Sequence, residues 1–197
     1  MQYFRKKGYL CKGGGKIFHQ NNKPGDKISW NDYFISKNIS KEVGKDKSLP
    51  MVGTGKGWFN WGPIDVEDDK MQDVKTVNWL KSELKKDHEK PFFLACGFVR
   101  PHVPLVAPAK YFDLYDRDAM EAPVVPEGDL EDVPQIIRNY KRNSTSYGVT
   151  DELHKGLLEA YYASISYMDA QVGRVLDVLD ELELSENTIV VLSLIHI

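Results

Sequence analysis

Pro91-Phe92-Phe93-Leu94-Ala95-Cys96-Gly97-Phe98-Val99-Arg100-Pro101-His102-Val103-Pro104 is an unbroken apolar run that empties into a turn bracketed by prolines. The seven residues from Phe92 to Phe98 carry no charge and are too few for a buried helix, so they predict a parallel strand covered on both faces. In open α/β sheets ligands gather beyond the carboxyl ends of the strands. The turn is therefore a candidate site, in which Pro101 and Pro104 fix the backbone and His102 points one way. A lone histidine in a turn is more often a cap than a catalyst, so a second group of residues has to support it.

Upstream of that strand, Met71, Val74, Val77, Leu80 and Leu84 recur at spacings of three and four and predict a helix from Asp69, with lysines at its end where the dipole favours them. Residues 1–8 read as the last turns of a helix stopped by Gly8, and Tyr9 to Cys11 as a short strand leading into Gly13-Gly14-Gly15-Lys16-Ile17-Phe18-His19. That glycine-rich segment is the second candidate site. Residues 20–65 are polar and loop-like, with a turn at Asn21 to Asp26 and Trp30, Trp58 and Trp61 as anchors. Downstream, residues 105–150 carry Pro108, Pro123, Pro126 and Pro134 among charges and predict a surface excursion with little regular structure. A long helix follows, capped by Thr150 or Asp151, with Leu153, Leu157, Tyr161, Ile165, Met168, Val172, Leu176 and Leu179 as its apolar stripe. Ser185 to Asn187 ends it, and Thr188 to Val191 begins another strand. Helix, buried strand and site loop in that rhythm predict an α/β fold with a mostly parallel sheet flanked by helices.

The 197 residues, 42% hydrophobic and 28% charged, are ordinary globular material. A net charge of -3 gives no basic footprint for nucleic acid, although a local positive pocket for a small anion stays open. Cys11 and Cys96 lie far apart, with neither zinc-ligand spacing nor a disulfide framework. No window approaches the roughly 18 apolar residues of a membrane span, and no basic-then-apolar leader opens the chain, so the sequence names no compartment. Both ends look cut. Leu192-Ser193-Leu194-Ile195-His196-Ile197 matches one reading frame of a transposase-type sequencing adapter, so these six residues are set aside from the fold as an expected artefact.

Gly13-Gly14-Gly15-Lys16 lacks the glycine and hydroxyl of a phosphate loop, because Leu10 and Ile17 stand there, and Gly53 to Gly57 fails the same test. There is no Gly-x-Ser-x-Gly elbow. Asp65, Glu67, Asp68 and Asp69 suit a solvated helix start better than a metal site, and the sequons at Asn38 and Asn143 are short enough to arise by chance. What remains is Lys16, His19, Arg100 and His102, each on a loop after a strand. Two cations and two imidazoles can form a pocket for an anionic ester: the lysine offsets fixed negative charge, and a protonated histidine hands its proton to a departing alkoxide. The structural alternative is that Lys16 lies over the sheet edge and His19 bonds a loop carbonyl.

At these residues the chain resembles the sulfatases, in particular their iduronate-2-sulfatase-like branch. Gln2-Tyr3-Phe4, Gly8-Tyr9 and Gly15-Lys16-Ile17-Phe18-His19 resemble the segment carrying the family's sulfate-binding lysine and histidine. Pro91 to Ala95 with Pro101-His102-Val103-Pro104 resembles the segment carrying its second active-site histidine. Tyr162 to Asp169 with Val172-Gly173-Arg174-Val175-Leu176 resembles the helix before its Asp-His-Gly strand end. Lys-x-x-His, in place of the Lys-x-His of many arylsulfatases, is what favours the iduronate-like branch.

The resemblance implies an alkaline-phosphatase-like sandwich, hydrolysis of a sulfate monoester, and residues 1–191 as the middle portion of one catalytic domain. It implies a formylglycine nucleophile and, in the full-length protein, calcium. Lys16 and His19 would hold sulfate oxygens, His102 would contact sulfate and protonate the leaving alcohol, and Arg100 stands where it could touch a carboxylate of a sugar. The implied partner is a sulfate ester, small or carbohydrate, and export to the periplasm or exterior is expected. Neither a Cys-x-Pro-Ser-Arg nor a Ser-x-Pro-Ser-Arg motif occurs, and the paired aspartates that bind calcium are missing, so this segment is expected to hold no metal and to be inactive alone. The alternatives are a phosphoesterase of the same superfamily and a non-catalytic anion- or carbohydrate-binding relative.

Overall fold

A computed structural model of the chain describes residues 1–19, 27–36, 49, 51–52, 59–121, 123–124, 126–142 and 150–193. The turn at Asn21 to Asp26, the run Gly53 to Gly57, Trp58, both sequons and His196 lie outside the described residues. The strands are β1 Leu10–Gly15, β2 Asp32–Phe34, β3 Met51–Val52, β4 Phe59–Ile64, β5 Phe92–Gly97 and β6 Leu105–Pro108. The helices are α1 Gln2–Lys6, α2 Gln72–Leu84, α3 Ala109–Phe112, α4 Gln135–Arg142 and α5 Asp151–Glu181. They divide between two compact units: Met1–Asn38, Asp69–Val99 and Met168–Ile197 in one, Ile39–Asp68 and Arg100–Tyr167 in the other.

The first unit is built on a parallel sheet in the order β2-β1-β5, with Leu10 opposite Phe92 and Gly15 opposite Gly97. The predicted strand at Phe92 is there, and so is the predicted helix, with Met71, Val74, Val77, Leu80 and Leu84 all buried. Leu80 and Leu84 of α2 pack with Val178 and Leu179 of α5, and Phe92, Leu94 and Cys96 lie against that cluster. On the other face of β5, Phe93 meets Phe4 of the short α1, at 4.8 Å between rings. β5 is half-buried along its length. Gly8 ends α1 at φ +87, with Gly8 N–H on Arg5 O and Tyr9 N–H on Phe4 O, the paired bonds of a Schellman stop.

The strand expected over Tyr9 to Cys11 instead runs on through all three glycines to Gly15. Side chains alternate across a strand, so Gly13 lies under Trp30 and Tyr33 while Gly14 lies under Trp79 of α2. A Cβ on Gly14 would come within 2.5 Å of the Trp79 ring. These glycines admit large aromatic cover and are not the start of a loop.

The second unit carries a sheet in the order β3-β4-β6, antiparallel between β3 and β4 and parallel between β4 and β6. It corrects two expectations of irregular chain. Residues 59–64 form β4 around the buried Trp61, although Gly62 and Pro63 read as turn residues, and residues 105–108 form β6, buried throughout. In both places a proline inside a short apolar run hid the strand, because proline removes a ladder donor without preventing extension.

Helix α5 starts where predicted, with Thr150 Oγ1 accepting from Leu153 N at 3.4 Å. Its buried face overlaps the predicted stripe only in part: Leu179 is buried, but Tyr161 and Leu176 are exposed while Ala160, Ala163, Ser164, Tyr167, Gln171 and Val178 are buried. Small residues bring the helix close to its neighbours: a Cβ on Gly156 would sit 3.1 Å from Trp61 Nε1. Thr188 to Val191 form no strand, and Ile189, Val190 and Val191 are exposed; β-branched residues favour extension, but a strand exists only when a neighbour pairs with it.

Candidate functional site

The Lys16 turn begins where β1 stops. Gly15 has φ +75, and a Cβ there would collide with Gly97 O, so only glycine lets β1 and β5 close at this rung. Lys16 N–H donates to Gly97 O at 2.8 Å, which extends the ladder by one bond, and Tyr33 Oη donates to Gly15 O at 2.7 Å. Burial raises the Tyr33 phenol above its ordinary value, so it remains a donor. Ile17 folds back over Gly13, and Phe18 meets the buried Trp30 edge to face at 6.5 Å. Lys16 is thereby held half-buried at a strand end, and His19, three residues on, is exposed.

The His102 turn, in the second unit, is built by different means. Arg100 is 5% exposed, and its guanidinium donates from Nε to Val106 O at 2.8 Å and from Nη1 to His102 O at 3.0 Å. Those two bonds clasp the turn from inside. His102 is exposed, and its Nδ1 lies 2.7 Å from Val103 O. A carbonyl only accepts, so Nδ1 carries the hydrogen and Nε2 is left to exchange protons. Arg100–Pro101 and Val103–Pro104 are cis peptide bonds.

The sequence-predicted residues thus fall into two pairs. Lys16 and His19 share one turn of the first unit, beside the carboxyl ends of β1 and β5; Arg100 and His102 share one turn of the second. Tyr33, which braces Gly15, was missed by sequence reasoning, and an aromatic near a glycine strand was the only signal for it. Neither thiol suits a nucleophile. Cys96 is pushed up to about 12 by burial and then by the charge of Asp73, and burial also raises Cys11 against the pull of the N-terminus and Arg5. Asp68 accepts from Tyr111 Oη at 2.8 Å and Lys110 Nζ at 2.9 Å, which accounts for the innermost carboxylate of the acidic run. Among the described residues no three His, Cys, Asp or Glu side chains come together to hold a metal ion.

The sulfatase family model matches residues 1–193. A sulfatase from Formosa agariphila is 32% identical over 97% of this chain and 40% of its own length, and the iduronate 2-sulfatase of Mus musculus is 30% identical over 99% of this chain and 39% of its own. Among solved structures, the phosphonate monoester hydrolase of Agrobacterium radiobacter superposes with a TM-score of 0.60 at 17% identity, over 92% of this chain and 43% of that one. The fold is alkaline-phosphatase-like, and the chain spans about two fifths of the length of the curated relatives it matches. With the family model matched from end to end of the described chain, this protein belongs to the sulfatase family.

Proposed function

We propose that the protein to which this sequence belongs hydrolyses a sulfate monoester of a sulfated carbohydrate, and that Lys16, His19 and His102 act on the sulfate. The observation that carries this reading is the family match over residues 1–193 together with a lysine fixed at the joined carboxyl ends of two parallel strands. The ammonium of Lys16 offsets charge on the sulfate oxygens, and the exposed imidazole of His19 adds a second donor. At His102, Nδ1–H stays on Val103 O; Nε2–H passes to the leaving oxygen as the S–O bond breaks, so the product departs as an alcohol. Arg100 braces the His102 turn through its bonds to Val106 O and His102 O, and the expected contact of its guanidinium with a substrate carboxylate stays part of this reading.

In sulfatases a formylglycine hydrate supplies the nucleophile and calcium polarises the ester. The sequence has no formylglycine motif, so residues 1–197 alone are inactive on this reading. The test is sulfate release from sulfated mono- and oligosaccharides by the full-length protein. His102→Ala should lower kcat by about 10²-fold or more, and Lys16→Ala should lower kcat/KM. Turnover of phosphate monoesters in preference to sulfate esters would overturn the reading.

A further inference from the structure

The amino-terminal end of α2 touches the exit of every strand in the parallel sheet, through the three buried polar side chains of Gln72, Asp73 and Thr76. Gln72 Nε2 donates to Ser36 Oγ at 3.0 Å, just beyond β2. Thr76 lies against Gly15, the last residue of β1: a Cβ on that glycine would meet Thr76 Cγ2 at 2.8 Å. Thr76 Oγ1 also reaches Ser36 Oγ at 3.4 Å. Asp73 Oδ1 accepts from Val99 N–H at 2.8 Å, two residues past β5 and immediately before Arg100. Ser36, Gln72, Asp73 and Thr76 are 3%, 5%, 2% and 0% exposed. Buried polar groups of this kind cost stability unless they are satisfied, and apolar side chains would pack the same space more cheaply. Their partners are strand exits, the places where the sheet hands the chain to its functional turns.

We propose that Asp73 is a positioning residue for the His102 turn: its carboxylate, in the first turn of α2, fixes the backbone at Val99, where the chain leaves β5. This rests on the reading of His102 given above and extends it to a residue that touches no substrate. A carboxylate suits the place, because the amino end of α2 favours negative charge and a charged acceptor holds an N–H more firmly than a neutral one. Gln72 and Thr76 reach the Ser36 hydroxyl beyond β2, and Thr76 packs against Gly15 at the end of β1, so the same end of the helix lies against all three strand exits.

Hydrogen exchange of the full-length protein tests the tether directly. The Val99 amide should be protected like those of β5; exchange at the rate of an open loop would overturn the proposal without any variant. In Asp73→Ala, Val99 should exchange on the order of tenfold faster while β1 and β5 amides hold their protection. Asp73→Asn, which keeps an acceptor oxygen, should restore most of it. On a sulfate ester, Asp73→Ala should lose on the order of 10- to 100-fold in kcat with KM little changed, because a displaced acid group harms the chemical step more than binding. Unchanged kcat in Asp73→Ala, or loss of protection across the whole sheet in both variants, would overturn the positioning role. If the wild-type protein releases no sulfate while the exchange results stand, the functional reading fails and the tether survives.

Discussion

The Lys16 turn and the His102 turn reach the same end, a basic side chain fixed just past a strand, by opposite construction. The first is held by what is absent: Gly13, Gly14 and Gly15 carry no side chains, so Trp30, Tyr33 and Trp79 close down on β1 and Gly97 approaches Lys16 backbone to backbone. The second is held by what is present, a buried guanidinium donating to two carbonyls of its own loop. A turn set by close packing has no slack, because any added atom meets backbone. A turn set by side-chain hydrogen bonds has replaceable parts, and its loss is graded.

The largest effect should therefore come from one methyl group in the first construction. A Cβ on Gly97 would overlap the carbonyl carbon and oxygen of Lys16, which cannot rotate away as a side chain can. Gly97→Ala should cost about 3 kcal/mol, the upper end for overpacking, and should part β1 from β5 at their carboxyl ends. Urea unfolding gives the cost, and the Lys16 amide, donor to Gly97 O, should lose exchange protection first. A Gly97→Ala protein as stable as the parent would show that this turn has slack, and the contrast would fall.

Arg100 tests the second construction, with a smaller and divisible loss. Arg100→Ala removes both clasping bonds from a side chain that is 5% exposed, and should cost about 2 kcal/mol, the range for buried bonds to a charged donor. Arg100→Lys can satisfy one carbonyl and not both, because an ammonium lacks the planar fork, so it should fall between Ala and the parent. Equal losses for Ala and Lys would mean that packing of the guanidinium, and not its two bonds, holds the turn.

What the sequence made legible follows the same division. The β5 run and the α2 periodicity were readable because apolar pattern and local structure agree there. β4 and β6 were not, because Gly62, Pro63 and Pro108 carry turn signals whatever the neighbouring strand does with them. The buried face of α5 was misread because Ala160, Ala163 and Ser164 are chosen for closeness and carry little hydrophobic signal. Lys16, His19 and His102, the residues proposed to act on sulfate, could be picked out by residue type and motif. The roles proposed for Arg100 and Asp73 could not, since the bonds that argue them run to backbone atoms: Val106 O and His102 O for one, and for the other a Val99 N–H lying 26 residues away. Side chain to backbone bonds leave no complementary residue for a reader of sequence to find.

The smallest effect sharpens the contrast by way of pH. Lys12, on the same face of β1 as Gly14, pairs with Glu83 of α2 at 2.7 Å, and Lys86 pairs with the other oxygen at 2.6 Å. Burial alone raises the Glu83 carboxyl, but hydrogen bonds from Lys12 and then Lys86, with their charges, outweigh it and hold the group below the ordinary 4.5. A carboxyl lowered in the folded state binds fewer protons there than when unfolded. Its stabilisation is complete above 4.5 and is lost as pH falls through the lowered value. Urea midpoints between about pH 3 and 6 should therefore decline on the acid side, and Glu83→Gln should flatten that decline. The two lysines should not share the effect equally. Lys12 is 16% exposed and Lys86 53%, so the Lys86 pair is screened by water and salt. Lys12→Met should remove more of the acid-side slope than Lys86→Met, and added salt should diminish the Lys86 contribution first. The reverse order would place the anchor of β1 on the exposed side of α2, and the first turn would then owe its fixity to the solvent-facing pair as much as to its glycines.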